Sequence, residues 1–148
     1  MTLEQKVMQA LKEAMKEKNK DKLDALRAIK SAILLEKTKG ASKTLTEADE
    51  MKLLQRLVKQ RKESAEIYKQ QNRDDLAQVE YNQIAVIESF LPEQMSAEEI
   101  EAEVKRIIEE TGAESMRDMG KVMGIATKKL AGRADGKTIS QIVKKLLS

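Results

Sequence analysis

The stretch Leu91-Pro92-Glu93-Gln94-Met95-Ser96-Ala97-Glu98-Glu99 decides how this chain is divided. Pro92 lacks an N–H donor and disfavours a helical residue before it, so a helix arriving from the N-terminal side has to stop. Ser96 followed three residues later by Glu99 is a capping box, in which each side chain satisfies the other residue's free backbone N–H, so a new helix starts almost at once. A stop and a start this close together, between two helix-rich regions, mark a domain boundary. It separates an N-terminal helical domain over 1–91 from a C-terminal one over 96–148.

Upstream of the boundary the apolar spacing predicts four helices. Thr2 with Gln5 is a capping box, and Leu3, Val7, Leu11, Ala14 and Met15 follow at helical intervals. After Asn19-Lys20-Asp21 comes a helix carrying Leu23, Leu26, Ile29, Ile33 and Leu34. Its apolar sector is broad, as for a central helix, and Gly40 with Ala41-Ser42-Lys43 is its expected stop. Thr46 and Asp49 open a third helix with Met51, Leu54, Leu57, Val58, Ala65 and Tyr68. A fourth, over 75–90, buries Leu76, Val79, Ile84 and Ile87.

Downstream the same reading gives three. The first has Ile100, Val104, Ile107 and Ile108 inward and Gly112 as its stop. Ser115 and Asp118 open the next, with Met119, Val122, Met123, Ile125, Ala126 and Leu130, and Gly132 ends it. The last carries Ile139, Ile142, Val143, Leu146 and Leu147. Short connections favour antiparallel neighbours. The expected fold is therefore all-α: an N-terminal four-helix region followed by a small C-terminal three-helix bundle.

Composition agrees. Ala, Glu, Lys, Leu and Arg account for 77 of the 148 residues, the usage of closely packed helices. There is no His, Cys or Trp, which excludes His- or Cys-based zinc sites, disulfides, thiol nucleophiles and a His general base. No apolar run approaches the roughly 20 residues that span a membrane. The N-terminus, Met-Thr-Leu-Glu-Gln-Lys, lacks the apolar region of a secretory signal, and the expected location is cytoplasmic.

The net charge of +3 conceals a contrast. Residues 96–114 hold seven acids against Lys105 and Arg106, whereas 115–148 hold eight bases against Asp118 and Asp135. One reading is a pair of oppositely charged, solvated helices that attract each other. The sharper one is a phosphate-contacting surface of Lys121, Lys128, Lys129, Arg133 and Lys137. A secondary basic face is expected from Lys52, Arg56, Lys59 and Lys62, and its plainer reading is an ordinary solvent face. Gly120 and Gly124, four apart in one helix, allow close backbone approach. Close packing by a neighbouring helix is one use of that, and approach to a ligand backbone the other. Gly132 and Gly136 bracket a loop ending at a helix N-terminus, where free N–H groups suit phosphate. That loop is no P-loop, since it has one residue too few between its glycines. Met116, Met119 and Met123 are core fillers or, alternatively, a docking groove. Adjacent carboxylates such as Glu98/Glu99 and Glu109/Glu110 diverge on a helix, and no catalytic constellation emerges.

Five stretches together resemble the YqeY-like proteins, also called the GatB/YqeY family, over nearly the full chain. They are Lys22-Leu23 and Leu26-Arg27 with Lys30; 58–64, Val-Lys-Gln-Arg-Lys-Glu-Ser; 88–95, Glu-Ser-Phe-Leu-Pro-Glu-Gln-Met; 118–124, Asp-Met-Gly-Lys-Val-Met-Gly; and 132–136, Gly-Arg-Ala-Asp-Gly. The family's C-terminal domain is similar to the tail of the glutamyl/aspartyl-tRNA amidotransferase B subunit, a helical appendage that helps bind tRNA. The resemblance implies a two-part helical fold and a non-catalytic tRNA- or RNA-binding role; no cofactor and no metal are expected. The amidase chemistry belongs to another subunit of that enzyme. A carbon–nitrogen ligase role with glutamine as amido donor would be inherited from the complex. The alternative is a protein-interaction adaptor for the amidotransferase or an aminoacyl-tRNA synthetase. At Asp135-Gly136 the chain departs from the tail's usual Asn-Pro.

Overall fold

A computed structural model describes residues 1–39 and 44–148. These form seven α-helices and one 3₁₀ turn, with no strand among the described residues. The chain is all-α and divides into two compact units, Met1–Pro92 and Glu93–Ser148.

The first unit contains α1 (Leu3–Glu17), α2 (Lys20–Thr38), α3 (Glu47–Gln70) and α4 (Asp74–Glu88). Capping boxes at Thr2/Gln5 and Thr46/Asp49 start α1 and α3, and the Asn19 side chain caps α2. Each satisfies backbone donors that a helix start leaves without partners. Helix α2 packs against α1, α3 and α4, and so occupies the central place its apolar sector predicts. Leu26, Ile29 and Ile33 of α2 meet Val7 of α1, Leu54 of α3 and Ile87 of α4 in one core. Polar ties between helices reinforce it. The Leu3 N–H donates to Glu50 Oε2 (2.8 Å), Lys37 Nζ to Glu4 (2.6 Å) and Asn82 Nδ2 to Asp21 (2.9 Å).

Some inward faces differ from the periodicity. Leu34 is half exposed, and so is Met15. On α4 it is Ala77, Ile84 and Ile87 that are buried, while Val79 faces outward. The reason is tertiary: the neighbouring helices cover a narrower arc than the apolar residues span. Helix α4 also ends at Glu88 rather than Phe90. Phe90 and Leu91 continue in tight turns, their N–H groups donating to Ile87 and Glu88 carbonyls at 3.1 and 3.0 Å, before Pro92. The stop predicted for α2 at 40–43 lies outside the described residues.

The second unit holds α5 (Ala97–Thr111), a 3₁₀ turn (Met116–Asp118), α6 (Met119–Lys129) and α7 (Gly136–Leu147). The three helices pack pairwise around Ile100, Val104, Ile107, Val122, Ala126, Ile139 and Val143. The Ser96/Glu99 capping box starts α5, and Gly112, left-handed at φ 70°, ends it. The single helix expected from Ser115 is split: Ser115 and Asp118 cap the 3₁₀ turn, and α6 begins only at Met119. Helix α6 stops at Lys129 rather than at Gly132, which instead takes a left-handed turn (φ 77°). Ile125, expected inward, is on the outer side of α6.

Candidate nucleic-acid interface

Helix α6 buries Val122 and Ala126 with Met119 and Met123 packed beside them, so its opposite face is set by period. Residues three and four apart share that face. They are Lys121, Gly124 and Lys128, flanked by Gly120, and all four are exposed. Seven residues of helical rise separate the two lysines by about 10 Å along the axis. At Gly120 and at Gly124 an added Cβ would meet no atom within 4 Å. Of the two uses open to these glycines, close packing by a neighbouring helix finds no partner atom at either Cβ position among the described residues. The α6 backbone is bare there, between two lysines. Met119 and Met123 belong to the core rather than to an open groove, and Met116 is the exposed member of the predicted cluster.

Lys129 and Arg133 fall on another side. With Met95, Glu99, Glu103 and Leu130 they line a cavity of about 360 Å³. Its two carboxylates are already engaged. Glu103 pairs with Arg106 at 3.0 Å, and Glu99 accepts the Ser96 N–H at 3.1 Å. That N–H, then the Ser96 side chain, holds the Glu99 carboxyl below its ordinary range; desolvation opposes the shift and the Arg133 charge adds to it.

Arg133 is also a structural clamp. Its Nε donates to the Glu93 carbonyl (3.0 Å), its own carbonyl accepts the Met95 N–H (3.0 Å), and Gln94 Nε2 donates to the Gly132 carbonyl (2.7 Å). The structure thus joins two of the stretches that carry the resemblance, 88–95 and 132–136. Spacing alone could not have paired segments about 40 residues apart. Their joint presence in one family pattern was the available signal.

Lys137 is exposed in the first turn of α7, and Gly136 is the first residue of that helix. The N-terminus of α7 does not stand open to phosphate. Asp135 accepts the Thr138 N–H at 2.7 Å and the Thr138 hydroxyl at 3.0 Å, so a carboxylate of the chain itself fills that position.

The acids of α5 do not neutralise the lysines of α6. Glu101 and Glu103 pair within α5, with Lys105 (3.7 Å) and Arg106 (3.0 Å), and among the described residues the acids of α5 reach another helix only through Lys145 to Glu101 at 3.9 Å. Among the described residues Lys121, Lys128, Lys129 and Lys137 form no ion pair.

In the first unit Lys52, Arg56, Lys59 and Lys62 are all exposed on α3. Arg56 reaches Glu36 of α2 at 3.5 Å, and Lys39 meets the same carboxylate at 3.4 Å. The Lys39 bond, with Arg56 adding to it, lowers the Glu36 pKa against a smaller desolvation effect. Arg61, in the same basic run, is a brace: it donates to Gln83 (2.9 Å) and to the Leu57 carbonyl (3.2 Å). A cavity of about 460 Å³ has walls from Leu3, Leu54, Phe90 and Pro92. Of its acids, Glu50 is committed to the Leu3 N–H. Among the described residues no group of three or more acidic side chains is placed to hold a metal, and no helix is long and apolar enough to cross a membrane.

Known proteins resemble this chain along most of its length. "Altered inheritance of mitochondria protein 41, mitochondrial" of Pyrenophora tritici-repentis is 31% identical over 140 residues, covering 93% of this chain and 76% of that protein. The protein of the same name in Clavispora lusitaniae is 37% identical over 81 residues, 55% of this chain and 46% of that protein, so the match spans about half the relative's length. An uncharacterized protein of Schizosaccharomyces pombe is 31% identical over 90 residues, 61% of this chain and 72% of that protein. The cytoplasmic location expected from the sequence is overturned by these relatives, two of which are named as mitochondrial. The apolar region of a secretory signal is a criterion for secretion alone, and its absence does not select the cytoplasm. The model of the YqeY-like proteins matches residues 4–147, and the chain belongs to that family.

Proposed function

We propose that this chain is a non-catalytic RNA-binding protein, with tRNA as its ligand, and that α6 of the second unit makes the central contact. The observation that carries the reading is the bare backbone at Gly120 and Gly124 beside Lys121 and Lys128, four exposed residues that the fold itself leaves unused. A sugar-phosphate backbone can lie against such a helix while the two lysines reach its phosphates. The chain has only Tyr68, Tyr81 and Phe90 as aromatics, which disfavours modes that stack unpaired bases. Recognition by shape and phosphate position fits a folded RNA better. Lys137 extends the contact from the start of α7. Lys129 and Arg133 contribute charge from the side, and Arg133 chiefly holds the α6–α7 corner. A carbon–nitrogen ligase activity would have to come from a larger complex in which this chain serves as the RNA-contacting part.

The test is tRNA binding by the full chain across a salt series. The wild type should bind at low salt and weaken steeply as salt rises. Lys121→Glu/Lys128→Glu should abolish most of that affinity while leaving the helical circular dichroism unchanged. Equal binding by the double variant and the wild type refutes the reading.

A further inference from the structure

Two of the three acids in the first turn of α3 accept from backbone donors. Asp49 accepts the Thr46 N–H at 3.1 Å and Glu50 the Leu3 N–H at 2.8 Å. Lys59 and Glu63, and Lys62 and Glu66, have the four-residue spacing of intrahelical ion pairs. Yet neither pair forms, and Lys52, Lys59 and Lys62 have no ion pair among the described residues. Lys52, Arg56 and Lys59 share one outward meridian, with Lys62 beside it. From Lys52 to Lys62 the stripe runs about 15 Å. At Glu36 of α2 the stripe's Arg56 is joined by Lys39, just past the end of α2, so two cations share that single carboxylate. No aromatic residue lies on this face to stack a base. A surface of this kind offers charge and regular spacing and nothing that reads sequence, which is how a phosphate backbone is held.

We infer that the stretch from Lys52 to Lys62 of α3, with Lys39, is a second RNA-backbone surface of this chain, so that one RNA engages the two units through separate phosphate contacts. The inference rests on reading the chain as RNA-binding, but on different residues. Two contacts on one chain make the second encounter intramolecular, so each strengthens the other.

The experiment uses the full chain and unfractionated tRNA, with the dissociation constant measured by fluorescence anisotropy across a salt series. Three variants are compared with the wild type: Lys52→Gln/Lys59→Gln/Lys62→Gln, Lys121→Gln/Lys128→Gln, and Glu63→Gln/Glu66→Gln. Each neutralised phosphate contact contributes about 0.9 to the log–log salt slope on duplex DNA and about 0.7 on a single strand. The α3 triple variant should therefore lose about 2–3 from the slope. Glu63→Gln/Glu66→Gln removes the two acids that follow the stripe on the same helix and should tighten binding, a gain that misfolding cannot mimic. A triple variant with the wild-type slope, together with no gain from the glutamate variant, overturns the inference even if Lys121→Gln/Lys128→Gln weakens binding. The converse pattern, with only the α3 variants affected, supports the α3 surface but overturns the α6 reading and, with it, the engagement of both units. Absence of tRNA binding by the wild type at low salt overturns both.

Discussion

Gly124 sits at the sixth of the eleven positions of α6, where glycine has no helical reason to be. Its φ is not left-handed, and a Cβ built there meets nothing within 4 Å. Gly124→Ala therefore carries no steric cost and removes only the entropic penalty of glycine, about 0.8–1 kcal/mol in a helix interior. With RT about 0.59 kcal/mol, that multiplies the folded-to-unfolded ratio of the second unit by about four to five. Native-state hydrogen exchange reads this directly. The amides of Val122, Ala126 and Val143, buried in that unit, should gain about four- to fivefold in protection, because their slowest exchange reports its global opening. The same variant should bind tRNA more weakly, since a methyl group now stands where the RNA backbone would lie. Opposite signs in stability and affinity are the signature of a residue kept for function. Unchanged or reduced protection would refute the reasoning, because it would mean that something packs on this face in solution.

Gly112→Ala should behave in the reverse way: the space around it is open but its φ is 70°, so only the backbone objects, by about 1–2 kcal/mol, seen as a lower urea midpoint for the second unit. Ile107→Ala should cost about 2–5 kcal/mol at a fully buried position. In so small a unit that approaches the whole stability, so NMR should lose the dispersed signals of Glu93–Ser148 while those of Met1–Pro92 persist. The pH response follows from Glu99. Its folded pKa is depressed, so its contribution is present at neutral pH and above the ordinary carboxylate range, and is lost as pH falls through the folded value. Ser96→Ala removes one of the bonds that depress it, and the Glu99 carboxyl, followed by carbon-13 NMR, should titrate at higher pH than in the wild type.

What the sequence discloses is what is local. Thr2 with Gln5, Thr46 with Asp49 and Ser96 with Glu99 act within one turn, and each starts a helix where the pattern places it. Gly112 stops α5 for an equally local reason. The inward direction of Leu34 and Val79 depends on how far neighbouring helices wrap, which periodicity does not encode. The glycines of α6 make the same point for the candidate site. Their spacing announces a close approach, but whether the fold or a ligand makes it depends on the surroundings, and these leave the face open. The bonds of Arg133 to Glu93 and Met95 could not be read from either segment alone. Nor could the Asp135 carboxylate be seen to take the place offered to phosphate until the start of α7 was located.

The clamp at 93–95 also defines where the second unit can be cut out or grafted. Those three residues precede α5 and belong to no helix, yet they bond to the Gly132 and Arg133 carbonyls and receive the Arg133 guanidinium. A fragment starting at Ser96 would expose both carbonyls and free the α6–α7 corner, whereas one starting at Glu93 keeps its own closing stitch. Any longer polypeptide that carries this module at its end therefore has to retain the short non-helical leader as part of the module, and its spacer can vary only upstream of Glu93.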